Sequence, residues 1–317
     1  MKEVIITLIK SIREKFKEKL PKVKEAFKAF AKKLKEFFKN PKASVKEFLK
    51  DNSKRQRLKI VGIFVLIIAL IAVSGPVYRF TKTAYLIPYT RKYNIEFPEG
   101  ILKDMCDAYG KDQNVCGALT VEDLDYSANV SNIIENDCAF LENGGDVYKD
   151  QHFRALRCNF AEADIESLYS TSKGFLKASQ KINFTTLFEE EVYKVVAAFY
   201  INNNPEDDGG YIFPYNFCGN MSKKDFEMYE DILSHRALYD TGYEYSYDDY
   251  FLTISVTSDF MEDFRFVIVC VKTDEKHFEK SEKASDNKKI FYPQVWFDEN
   301  KQENPYRFTS KWIPKNI

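Results

Sequence analysis

Three apolar runs decide the fold: Tyr193–Tyr200 (YKVVAAFY), Phe251–Val256 (FLTISV) and Phe264–Val271 (FRFVIVCV). Each is short and rich in β-branched and aromatic residues, which suit a pleated, half-buried surface. The spacing predicts three β-strands. Between the first two lies Asn202–Asp249, long and polar. Within it Ser222 can cap a helix, Asp225 suits its first turn, and Phe226, Tyr229, Ile232 and Leu233 mark its buried face. Gly242 follows its end. Residues 100–115 read as helical, with short strands after them. The expected class is mostly β with peripheral helices.

Outward from these strands, the chain divides by charge. Met1–Lys59 holds 20 Lys+Arg against 7 Asp+Glu, a net of +13, and the rest of the chain carries −14. A near-neutral total built from opposite parts implies two environments. Between them Ile60–Tyr78 reads IVGIFVLIIALIAVSGPVY, without a charge. Nineteen residues approach the length of a helix crossing a hydrocarbon core of about 30 Å. Lys54, Arg55, Arg57 and Lys59 precede it, so the positive-inside rule puts the N-terminus in the cytoplasm and the C-terminal part outside.

The basic leader is patterned. Ile9, Ile12, Phe16, Leu20, Val23, Phe27, Phe30, Leu34 and Phe37 recur at steps of three and four, one stripe of an amphipathic helix that Pro21 and Pro41 interrupt. Such a helix can lie on an anionic inner leaflet or pair into a homodimer. The domain reading is therefore 1–59 basic cytoplasmic segment, 60–78 transmembrane helix, 79–99 linker, 100–272 β domain and 273–317 C-terminal extension.

All six cysteines lie in the exterior part, at 106, 116, 138, 158, 218 and 270. They permit up to three disulfides, or free thiols, and Cys270 fits a buried strand position. No paired C-x-x-C units and no histidine pair at ligand spacing occur, so neither a metal site nor a cofactor is expected. There is no phosphate-binding glycine loop and no G-x-S-x-G. The basic segment is cytoplasmic and the exterior part acidic, which argues against nucleic-acid binding.

From about residue 95 to 272 the chain resembles class B sortases, membrane-anchored cysteine transpeptidases of Gram-positive bacteria. The resemblance rests on the aromatic strand at Tyr193 with Asn204-Pro205 after it, the helical insert, Tyr239-Asp240-Thr241-Gly242, and the strands around Thr253 and Arg265. Upstream, Gly117–Val121 is similar to the family's G-x-I-x-I strand, Asn136–Leu141 to its D-N-x-Y-Y-L segment, and Asp146–Asp150 to its S-I-F-L-D strand. The resemblance implies an eight-stranded β-barrel. It also implies a Cys nucleophile that forms a thioacyl intermediate with a sorting signal, a His, and an Arg that steadies the substrate and oxyanion.

Residue by residue, the family's T-L-S-T-C falls on Thr253, Ile254, Ser255, Val256 and Thr257. The nucleophile position thus reads Thr257. The Arg is kept as Arg265. The stretch that should carry Y-G-H reads ALRCNFAEAD (155–164), with Asn159 nearest the His position. A hydroxyl without an adjacent base is a poor nucleophile, so ordinary sortase chemistry is expected to be lost. Relocated catalysis would draw on His152, Cys158 or Cys218. Three functions follow: a degenerate homologue binding a sorting-signal peptide, a sortase or a wall component; an active transpeptidase with moved groups, joining surface proteins to cell wall or pilin; or a purely structural envelope protein. Tyr211, Phe213, Tyr215 and Phe217 alternate, as strand packing or as a groove lining would.

Overall fold

A computed structural model describes residues 83–141, 147–159, 164–207, 210–309 and 311–314. The basic segment at 1–59 and the apolar run at 60–78 lie outside the described residues. Among the described residues no helix is long and apolar enough to cross a membrane.

The stretch read as a linker holds a helix. A 3-10 turn at Ala84–Leu86 runs into α1 (Ile87–Tyr93), which ends at Asn94 with φ +54°. Pro88 near its start supplies a φ already helical. Leu86 packs with Ile101, Met105 and Leu187, so this segment belongs to the globular unit. A short 3-10 turn then leads into α2 (Cys106–Lys111).

The strands follow: β1 (Val115–Val121), β2 (Tyr126–Ser131), β3 (Cys138–Phe140) and β4 (Phe153–Cys158). Two short helices, α3 (Ile165–Tyr169) and α4 (Ser172–Lys177), come next, each capped by the side chain before it. Then come β5 (Lys181–Thr186) and β6 (Glu190–Asn202), the insert with α5 (Lys223–Arg236) and β7 (Tyr239–Asp240), and β8 (Phe251–Thr257) and β9 (Phe264–Thr273). The tail adds β10 (Ser285–Asp286) and α6 (Gln294–Glu299). Eight strands close a barrel in the order β1-β2-β3-β4-β8-β9-β6-β5, while β7 and β10 pair separately. Closure leaves no sheet edge.

The strand parity explains why the deciding runs are continuously apolar. On β9, Phe266, Ile268 and Cys270 belong to the interior cluster with Leu252, Ile254 and Val256. The alternate residues Val267, Val269 and Val271 belong to an outer cluster with Phe226, Tyr229 and Leu233 of α5. A strand buried on both faces needs apolar side chains at both parities. Ser222 caps α5 as expected, its hydroxyl accepting from the Asp225 amide at 3.1 Å. At Gly117 a Cβ would meet the Thr185 carbonyl at 2.6 Å, so β1 and β5 approach closely only because this residue is glycine.

Two sequence expectations are corrected. Residues 147–150 form a turn, not the strand that the S-I-F-L-D likeness suggests. The 211–217 stretch is a loop, with Phe213, Tyr215 and Phe217 buried in the outer layer. Its alternation comes from ring packing above a sheet, without a ladder. Over its described residues the extension at 273–317 packs on the insert and the barrel. Asn287 donates its amide to Leu238 and Phe291 to His235, and Trp312 is fully buried between Phe213 and Tyr229. The tail therefore straps the insert down on the barrel.

Candidate functional site

β8 and β9 are antiparallel neighbours, and their register sets Thr257 opposite Arg265. On its other side β8 runs parallel to β4, pairing Arg157 with Ser255 and Cys158 with Val256. The two neighbours therefore bring the ends of three strands together. Thr257 is exposed, while Arg265 is 7% exposed. Its guanidinium lies across β8 toward β4. Nε donates to the Ser255 hydroxyl at 3.3 Å, Nη1 to Asn159 Oδ1 at 3.2 Å, and Nη2 to the carbonyls of Ser255 (2.9 Å) and Cys158 (3.1 Å). All these acceptors are neutral. Burial pulls the Arg265 guanidinium below the ordinary arginine value, with Tyr215 opposing and Arg157 adding to that shift. An arginine remains charged under such a shift.

Thr257, Arg265 and Asn159 are thus brought to one place. Asn159 follows β4 directly, and its amide donates to the Asp137 carbonyl at 2.6 Å. Tyr215 leans in from the insert. Burial pushes its phenol up, while Arg265, Ser255 and Arg157 pull it down. Sequence reasoning missed Arg157 and Ser255. The available signal was parity: each stands two residues before a candidate on the same strand or strand end.

The relocated candidates do not assemble. His152 precedes β4 and Cys158 ends it, six residues away and so about 20 Å along an extended strand. The His152 ring sits against Tyr250, with Nδ1 at 3.0 Å from the Tyr247 carbonyl. Cys158 is fully buried and disulfide-bonded to Cys138, its cross-strand partner on β3. The Cys218 thiol is buried and donates to the Leu141 carbonyl at 2.8 Å. Cys270, fully enclosed in the barrel, has its thiol pushed well above the ordinary value by burial. The chain's other histidines are engaged elsewhere, His235 with the Asp231 carbonyl and His277 with Asp274. No thiolate–imidazole pair forms among the described residues, and Thr257 has no histidine as a base.

No protein-family model and no curated protein matches the sequence. Solved structures do. Sortase B of Bacillus anthracis, in complex with AAEK1, is similar at 14% identity over 60% of this chain and 94% of that one, with a TM-score of 0.46. Sortase B of Staphylococcus aureus, in a substrate complex, is similar at 11% identity over 64% and 98%, TM-score 0.46. Sortase B of Clostridium perfringens is similar at 12% identity over 53% and 98%, TM-score 0.45. The residues that the sequence resemblance singled out, Arg265, Thr257 and Asn159, meet at the shared ends of β4, β8 and β9, with Arg265 bonded to Asn159.

Proposed function

We propose that this chain is a membrane-anchored, sortase-B-like protein of the Gram-positive cell envelope that binds a peptide without turning it over. The ligand is a sorting signal, a segment of an active sortase, or a peptide of the wall or a pilin. One observation carries the reading: Arg265 stands bonded opposite Thr257 with Asn159 on its guanidinium. Transpeptidation needs a nucleophile activated by a base, and a threonine hydroxyl beside an asparagine amide has none. A buried guanidinium in a fixed fork still orients a carbonyl or carboxylate. On this reading Ile60–Tyr78 anchors the chain, the basic helix rests on the inner leaflet, and the barrel faces outward.

The test is intact-mass analysis of the purified chain after incubation with class B sorting-signal peptides, beside an active sortase. No adduct on this chain, with the control acylated, is the expected result. An acyl adduct on any residue would show a working transpeptidase and overturn the proposal.

A further inference from the structure

Arg157 has a donor set that the fold does not use. A guanidinium carries five N–H groups. Arg157 spends one, from Nη2 to the Ile134 carbonyl at 3.4 Å. Its Nε is buried without a hydrogen-bond partner. A buried polar atom left unsatisfied calls for an explanation, because desolvating it is costly. Arg157 pairs in register with Ser255, whose hydroxyl and carbonyl Arg265 holds, and Arg265 uses four of its five N–H groups. No ion pair joins either arginine to a carboxylate among the described residues. Two like charges held together without a counter-charge repel each other, and an anion placed between them would relieve that repulsion.

The surroundings narrow the anion. Ile133 and Ile134 are 37% and 45% exposed, and Ile134 supplies the carbonyl that Arg157 touches. Thr257 offers an exposed neutral hydroxyl. An apolar rim beside paired guanidinium groups suits a ligand with a side chain next to its charge. A peptide end has that form, and a bare phosphate leaves the isoleucines uncovered. Arginine forks also match a planar carboxylate in two-point contact.

We infer that Arg157, with Arg265 behind it, receives the free C-terminal carboxylate of a peptide whose last side chains lie on Ile133 and Ile134. Arg157 makes the contact with the Nη donors that it does not spend on Ile134, and Arg265 adds its charge from behind. This inference rests on the peptide-binding reading above and adds the chemical identity of the end that is held.

The experiment is fluorescence anisotropy on the full chain with one labelled class B sorting-signal peptide, made with a free carboxylate or with a carboxamide end. The carboxylate form should bind about tenfold more tightly, equivalent to about 1.4 kcal/mol. Arg157→Gln should remove that preference. Arg157→Lys, which keeps the charge without the fork, should retain part of it. Equal affinity for both ends, or a preference that survives Arg157→Gln, overturns the inference and leaves the peptide-binding reading standing. Failure of both peptides to bind overturns the two together. Inorganic phosphate is the competitor: displacement at or below the concentration of unlabelled peptide needed overturns the carboxylate assignment in favour of a phosphate ligand.

Discussion

The Arg265 guanidinium donates to the Cys158 carbonyl at 3.1 Å, so one side chain of β9 reaches over β8 and ties down the end of β4. The same carbonyl belongs to a residue held to β3 by a disulfide. The site and a seam of the barrel are thus mechanically joined, which gives Arg265 a structural consequence beyond any ligand.

Arg265→Ala should therefore cost stability as well as binding. It leaves the buried carbonyls of Ser255 and Cys158 short of a donor, a loss of about 2–4 kcal/mol for a charged, buried hydrogen-bonding group. Urea denaturation of the full chain checks this. Arg265→Lys should recover part of the loss, because one ammonium can reach only some of these acceptors.

The Cys138–Cys158 bond spans 20 residues of sequence, for which loop-closure entropy predicts a stabilisation of about 3 kcal/mol. Cys138→Ser should lower the unfolding midpoint accordingly. Alkylation of the unfolded, unreduced protein should modify Cys106, Cys116, Cys218 and Cys270, and prior reduction should add Cys138 and Cys158. Mass spectrometry reads the difference directly.

Glu191 is buried and bridges Arg154 at 2.6 Å and Lys272 at 2.5 Å. Burial works to raise its carboxyl, but Lys272 and Arg154 prevail and hold it below the usual carboxylate value. A depressed folded value means the unfolded chain binds the proton first. The stabilisation is present above the ordinary glutamate value, about 4.3, and is lost as pH falls from there through the folded value. Glu191→Gln should flatten that part of the acid-stability curve. At neutral pH Glu191→Ala should cost about 3 kcal/mol, the low end for a broken buried pair, because it strands the largely buried Arg154 guanidinium while the exposed Lys272 side chain adds little.

Trp312 is fully buried against Phe213 and Tyr229, and the Tyr211 hydroxyl donates to its carbonyl at 3.0 Å. Trp312→Ala should destabilise the protein by about 3–5 kcal/mol, as other buried aromatic truncations do. Proteolysis should then cut first in the tail and the insert, while the barrel strands resist.

Thr257→Cys places a thiol at an exposed position and should become reactive to alkylating agents in the folded protein. It should not yield an acyl adduct with sorting-signal peptides, because Asn159 still stands where a base is required. Thr257→Cys with Asn159→His is the stronger test. An adduct there would show that the positions of Thr257 and Asn159 can support acyl transfer once they carry a thiol and an imidazole.

Period and composition were enough to place β6, β8, β9 and α5, because a strand or helix buried on a defined face must carry that face in its sequence. The family resemblance named Arg265, eight residues beyond Thr257, and the register of β8 and β9 is what sets the two opposite each other. Other features were not legible. The helix at Ile87–Tyr93 is too short to show a period, and is held by its packing with Leu86 against Ile101. The aromatic alternation from Tyr211 to Phe217 mimics a strand because both environments bury every second ring.

The sequence by itself determined the strands, the capped helix, the charge division and the apolar run at 60–78. Each is a local property, fixed by residue type and spacing. Only the tertiary structure decided that Cys158 pairs with Cys138, that His152 stands at the other end of β4, that the tail returns to bury Trp312, and that Arg157 keeps most of its donors beside Arg265. Those depend on which strands become neighbours when the barrel closes. Strand order is a long-range choice, made by the fit of a whole core, and no single segment of the chain encodes it.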